Sequence, residues 1–201
     1  MQKLICFDLE GVFVPEIWIE FSKETGIPEL KRTTRDEPDY DKLMKFRLEI
    51  LKEHGLGLKE IQNVISRIDP FPGAKEFLDK LREDGYQVII LSDTFTQFAK
   101  PLMKKLGYPV IFCNELIVGE NGEITDYQMR VEKSKQTTVL ALQSIGYETI
   151  CAGDSFNDLG MITHSKAGFL FRTTDALKEA YPDIPALETF EELYENIKAV
   201  K

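Results

Sequence analysis

Short apolar runs punctuate the chain at Leu4–Leu9, Tyr86–Ser92, Pro109–Cys113, Thr149–Ala152 and Ala167–Phe171. Between them, apolar positions recur at helical spacing over Gly73–Asp84, Thr96–Leu106, Lys135–Ile145 and Asp158–Ser165. Continuous apolar strands that alternate with amphipathic helices predict a parallel sheet buried on both faces. The expected fold class is therefore α/β, a doubly wound parallel sheet, with ligand sites at the carboxyl ends of the strands. A last amphipathic helix is expected over Glu188–Lys201.

Residues 15–70 break the alternation, because they contain no clear strand. Pro15 suits the first position of a helix through Thr25 that stops near Gly26. Asp39–His54 reads as a second helix, capped by Asp39 and stopped by Gly55, and Leu58–Arg67 as a third. Pro70, Phe71, Pro72 and Gly73 mark the return of the chain. The expected organisation is a core domain of residues 1–14 and 71–201 with an inserted small helical cap of residues 15–70, a lid that excludes water. A smaller β-hairpin insertion is expected in Asn114–Gln128, where Asn121-Gly122 separates two alternating runs.

Composition changes this picture only by exclusion. In 201 residues, 43% are hydrophobic and 29% charged, and the net charge is −9. An acidic surface lacks the sequence-independent attraction that nucleic acid or an anionic membrane requires. No apolar run approaches the roughly 20 residues of a membrane helix, and the N-terminus does not read as a signal peptide. Cys6, Cys113 and Cys151 each sit in an apolar stretch and read as reduced, buried thiols of a cytoplasmic protein. The sequence leaves monomer and homodimer open.

The chemistry gathers where strands end. The first run delivers Asp8, Glu10 and Gly11, the second Ser92 and Asp93, and a later one Gly153-Asp154 followed by Asp158. Lys135 stands in the first turn of a predicted helix, against the helix dipole, a position tolerated when an anion lies nearby; Lys133 competes for that place. Asp8 is a candidate nucleophile, and Glu10 a proton donor to a leaving oxygen. Asp8, the backbone carbonyl of Glu10 and Asp154 offer hard oxygen ligands for Mg²⁺. Ser92 and Lys135 suit phosphoryl oxygens, and Asp158 suits support of the metal waters or of the lysine.

The ordered segments DLEGV, LSD, a lysine at a helix start, and GDSFND resemble the four motifs of haloacid dehalogenase superfamily phosphatases. Within them, FDLEGVFVPEIW at 7–18, TTRDEPDYDKLMKFRLEIL at 33–51, ILSDTFTQFAKPLMKKLG at 90–107 and AGDSFNDLGM at 152–161 resemble phosphoserine phosphatases, in particular those that also pass the phosphoryl group to homoserine. The resemblance implies a Rossmann-like core, an aspartyl-phosphate on Asp8, Mg²⁺, and phosphoserine as substrate with homoserine as a second acceptor. It departs from most of the superfamily at Glu10, where the common motif has Asp; the longer side chain is expected to favour an alcohol over water as acceptor.

The resemblance also gives Glu16 and Arg47 a purpose. Arg47, a heptad from Tyr40 on the apolar stripe, either snorkels to water or forks onto a substrate carboxylate. Glu16 either complements a helix dipole or meets a substrate ammonium. Asp93 and Asn157 are further candidates for substrate contact. Lys31, Arg32 and Arg35 are either a solvated loop or a steering patch, and Phe13, Trp18, Phe95 and Phe98 are core or pocket wall. His54 and His164 receive no chemistry. The competing readings are a phosphatase for another small phosphorylated metabolite, and a non-catalytic phosphometabolite-binding module.

Overall fold

The computed structural model describes residues 2–34, 36–37 and 39–201. In chain order its elements are β1 (Gln2–Phe7), α1 (Ile17–Thr25), α2 (Tyr40–Glu53), α3 (Leu58–Ile65), α4 (Ala74–Glu83), β2 (Gln87–Phe95), α5 (Thr96–Lys105), β3 (Val110–Val118), β4 (Ile124–Gln128), α6 (Ser134–Ser144), β5 (Tyr147–Gly153), α7 (Leu159–His164), β6 (Ala167–Phe171), α8 (Asp175–Ala180), β7 (Ala186–Leu187) and α9 (Phe190–Ala199). The strands form one seven-stranded sheet in the order β4-β3-β2-β1-β5-β6-β7. All neighbours are parallel except β3 and β4.

The period of two in the strands divides the core. Ile5 and Phe7 of β1, Ile90 of β2 and Ile150 of β5 join one apolar cluster with Phe77 and Leu81 of α4, Leu102 of α5 and Ile197 of α9. Leu4 and Cys6, Ile89 and Leu91, and Cys151 face the other way, onto Val139 of α6, Ile162 of α7 and Leu177 of α8. Both faces of the sheet are thus covered, which is why its strands read as unbroken apolar runs. Successive strands run outward from β1 in one direction as β2 and β3, and in the other as β5, β6 and β7. The reversal falls between β1 and β5, and at such a switch point the chain diverges on either side to leave a crevice beyond the strand ends.

The helices α1 to α3 lie between β1 and α4. The chain leaves and returns at one place, where Phe71 N–H donates to the Phe13 carbonyl at 2.8 Å. Ile17, Trp18, Phe21, Met44 and Ile61 join the same cluster that covers the first face of the sheet.

Several boundaries differ from expectation. The expected hairpin is present, with Asn121-Gly122 between β3 and β4, but its first strand starts earlier: β3 runs unbroken from Val110 to Val118, and β4 pairs antiparallel with its distal half. Asn114 lies mid-strand and is buried, its amide donating to the Asp93 carbonyl at 3.1 Å. The second strand continues past Ser92 to Phe95. The last helix starts at Phe190, because the Thr189 side chain accepts from Glu192 N–H at 3.1 Å and caps it. A short 3-10 turn at Pro28–Lys31, α8 and β7 had no counterpart in the sequence pattern. Cys6 and Cys151 are buried, whereas Cys113 is only partly so, and all three are free thiols. Among the described residues no helix is long and apolar enough to cross a membrane.

Candidate active site

Register brings the first two carboxylates together. Phe7 of β1 pairs with Ala152 of β5, and Asp8 N–H donates to the Ala152 carbonyl at 3.1 Å. Asp8 and Asp154 therefore emerge side by side at the switch point, both buried. Gly11 makes the turn that follows. Its φ is +79°, and a Cβ there would stand 2.4 Å from the Asp154 carboxyl carbon, so both the backbone and the space require glycine.

Lys135 comes from the first turn of α6 and is buried. Its ammonium lies 3.0 Å from Asp8 Oδ1, 2.7 Å from Asp158 Oδ1 and 4.0 Å from Asp93 Oδ2. Lys133 is exposed, in left-handed backbone just before the helix. Asp158 is fully buried, and its Oδ2 accepts from Asp154 N–H, Ser155 N–H and the Ser155 hydroxyl at 2.9–3.0 Å. One side chain thus fixes both the loop that presents Asp154 and the lysine that faces Asp8.

β2 supplies Ser92, three residues before its end and buried, with its hydroxyl accepting from Thr94 N–H at 3.2 Å. Asp93 points to the far side of Lys135 and accepts from the Ser134 hydroxyl at 2.9 Å. Asn157 is exposed at the rim.

Asp8, Ser92, Asp93, Lys135 and Asn157 line a cavity of about 320 Å³ that extends to Glu16, Trp18, Tyr40 and Arg47. Glu16 occupies the capping position of α1 and makes no side-chain cap bond. Arg47 is buried and does not snorkel. Its guanidinium stacks over Trp18 at 4.5 Å and donates to the Arg32 carbonyl at 2.7 Å, while Nε has no hydrogen-bond partner among the described residues. No carboxylate pairs with it among the described residues. A buried cation that lines a cavity and has no carboxylate in ion-pair contact among the described residues favours an entering anion.

The sequence did not mark Tyr40, whose hydroxyl donates to the Asp93 carbonyl at 3.0 Å and ties α2 to the end of β2. Its only signal was its heptad spacing from Arg47. In the basic patch, Arg32 stacks on Phe46 at 5.2 Å, Lys31 is exposed, and Arg35 lies outside the described residues. Phe13, Trp18, Phe95 and Phe98 are all buried.

The model of the haloacid dehalogenase-like hydrolases matches residues 2–165, a span that holds every one of these groups. The chain belongs to that family. This hydrolase is 52% identical over 198 residues to a phosphoserine phosphatase of Pseudomonas syringae, covering 98% of the chain and 83% of the relative. It is 49% identical over 192 residues to phosphoserine phosphatase ThrH of Pseudomonas aeruginosa, covering 96% and 93%. Among solved structures, a phospho-aspartyl intermediate analogue of phosphoserine phosphatase superposes with a TM-score of 0.79 at 26% identity, covering 100% of this chain and 99% of that one.

Electrostatics in the hydrolase's site favour a bound cation. Oxygens of Asp8, Asp154 and Asp158 lie within 4.8 Å of one another. Burial pushes Asp8 well above the usual carboxylate range; Lys135 opposes this, and Asp158 and Asp154 add to it. Burial works against the charge on Lys135, but Asp158, Asp8 and Asp93 outweigh it and hold the ammonium protonated. Three carboxylates against one lysine leave an excess of negative charge, and an oxygen-only donor set suits a hard divalent ion. The Glu10 carboxylate stands apart from this trio and accepts from Ile17 N–H at 2.8 Å. Burial, and then repulsion from Glu16, push it up to about 8, against the Ile17 bond and Arg47. Burial lowers Arg47 to about 10, with Tyr40, Glu10 and Glu16 opposing.

Proposed function

We propose that the chain is a Mg²⁺-dependent phosphoserine phosphatase that converts O-phosphoserine and water to serine and phosphate, and that it also passes the phosphoryl group to homoserine. The observation that carries this is the polarity of the cavity. Its lining combines Asp8, Ser92 and Lys135 with a carboxylate, Glu16, and a buried guanidinium, Arg47, that has no carboxylate in ion-pair contact among the described residues. Phosphoserine has matching groups in that order: a phosphate, then an ammonium and a carboxylate on one carbon. A phosphorylated sugar offers nothing to the Glu16–Arg47 pair, and a mere binding protein has no use for a carboxylate aimed at phosphorus.

Asp8 attacks phosphorus in line, forming an acyl phosphate as the serine oxygen departs. Glu10, protonated at neutral pH because its carboxyl is raised to about 8, donates to that oxygen, then accepts the proton of the incoming water or homoserine hydroxyl. Ser92 and Lys135 hold the phosphoryl oxygens, and Asp158 holds Lys135. Asp8, the Glu10 carbonyl and Asp154 would hold Mg²⁺, which supplies charge neutralisation at the phosphoryl group when bound. Arg47 forks onto the substrate carboxylate, Glu16 takes the ammonium, and Asp93 and Asn157 complete the wall. Residues 15–70 act as the lid over this chemistry. The free thiols fit a reducing, cytoplasmic setting.

The test is incubation with phosphoserine and Mg²⁺, with and without homoserine, following free phosphate and phosphohomoserine separately. Phosphate release without homoserine, and phosphohomoserine with it, support the reading. No turnover of phosphoserine while a sugar phosphate is cleaved would replace it with the alternative phosphatase.

A further inference from the structure

Among the described residues the β3–β4 hairpin bonds none of Asp8, Glu10, Ser92 and Lys135, yet it grips the start of α2, the helix that carries Arg47, and the start of α3, the helix that follows. At the start of α2, the Tyr127 hydroxyl of β4 donates to Asp41 at 2.8 Å. The Tyr127 ring meets Tyr40 edge-on at 5.8 Å and Phe95 of β2 at 6.2 Å. Tyr40 in turn bonds the Asp93 carbonyl at 3.0 Å. Beyond the end of α2, Leu58 N–H donates to the Gly122 carbonyl at the hairpin tip at 2.9 Å. The approach there is so close that a Cβ on Gly57 would stand 2.6 Å from that carbonyl oxygen.

Between the two grips, α2 and the hairpin part around a cavity of about 840 Å³, lined by Lys45, Leu48 and Lys52 on one side and Glu123 and Thr125 on the other. The hairpin therefore holds α2 at its start and α3 at its start, with a gap along α2 between the two. The hairpin itself is stiff, because β3 continues out of the sheet and the Gln97 side chain clamps Leu116 through both its N–H and its carbonyl, at 3.0 and 2.9 Å. Arg47 lies two turns along α2 from Tyr40, on the same face. A shift in the seat of Tyr40 rotates or translates Arg47 with it.

We propose that the hairpin is a strut that sets selectivity for a carboxylate-bearing substrate, with Tyr127 as the positioning residue that keeps Arg47 over the cavity. This rests on the reading of Arg47 as the ligand of the substrate carboxylate. Tyr127 acts on binding of one substrate group and leaves the phosphoryl chemistry at Asp8 and Lys135 alone.

The test compares phosphoserine with phosphoethanolamine, which has the phosphate and amine but no carboxylate, in Tyr127→Ala, Tyr127→Phe and Arg47→Ala. Tyr127→Ala is expected to raise KM for phosphoserine about tenfold, with kcat little changed and KM for phosphoethanolamine unmoved. Tyr127→Phe keeps the ring, loses the Asp41 bond and is expected to fall between wild type and Tyr127→Ala; it decides the matter alone if the alanine variant does not fold. If Arg47→Ala weakens both substrates equally, the underlying reading of Arg47 fails. If Arg47→Ala acts on phosphoserine alone while the Tyr127 variants move both substrates alike, or neither, the strut is overturned and the reading of Arg47 stands.

Discussion

Asp158 Oδ1 lies 2.7 Å from the ammonium of Lys135, and the same side chain holds the backbone of Asp154 and Ser155 through Oδ2. One buried side chain thus places a cation and the loop that presents Asp154 together. Asp158→Asn keeps the shape but removes the charge and turns one acceptor oxygen into a donor. Phosphate release is expected to fall roughly 10- to 100-fold, the range for removing a supporting partner of a metal ligand. Steady-state assay against a Mg²⁺ series checks this; activity equal to wild type would show that Lys135 holds its position unaided.

Glu10 links proton transfer to stability. Its carboxyl stands at about 8 in the folded protein against an ordinary 4.5. A raised carboxyl binds its proton in the folded state while the unfolded chain has lost it, so this group's contribution is present below about 4.5 and declines as pH rises to about 8. Glu10→Gln has no such proton to lose. Melting of metal-free protein should therefore show the variant gaining on wild type across that window, and a gap independent of pH would contradict the assignment.

Glu10→Asp tests the acceptor preference. The shorter side chain withdraws the carboxyl by about one carbon–carbon bond, and misplacement by about 1 Å can cost on the order of 100-fold. The ratio of free phosphate to phosphohomoserine is expected to rise in this variant. An unchanged ratio would separate acceptor choice from the length of this side chain.

Gly11→Ala should affect the metal site more than the fold. The backbone at φ +79° costs an alanine about 1–3 kcal/mol. The new methyl also displaces the Asp154 carboxylate, which would otherwise stand 2.4 Å away at its carbon. A lowered melting temperature together with a higher Mg²⁺ requirement is the expected pair of results.

The strand ends were legible because buried parallel strands leave unbroken apolar runs, and a carboxylate that ends such a run is conspicuous. Asp8 and Asp154 stand out in this way, Ser92 follows an apolar run as a hydroxyl, and Lys135 stands out against its helix dipole. The course of β3 was not legible. Asn114 looks like a strand end, but its side chain is buried and bonds the Asp93 carbonyl and Arg130 N–H. Only the tertiary fold supplies those partners. The latch from Tyr40 to Asp93 was hidden for the same reason, since a backbone carbonyl leaves no mark on side-chain pattern. The short α8 and β7 hold too few residues to show a period.

The central claim is that Asp8 carries the phosphoryl group. Brief reaction with phosphoserine labelled in phosphorus, acid quench and peptide mapping tests it most directly. A hydroxylamine-sensitive label is expected on the peptide containing Asp8, absent in Asp8→Asn. Label on Ser92, or undiminished phosphate release by Asp8→Asn, would contradict it.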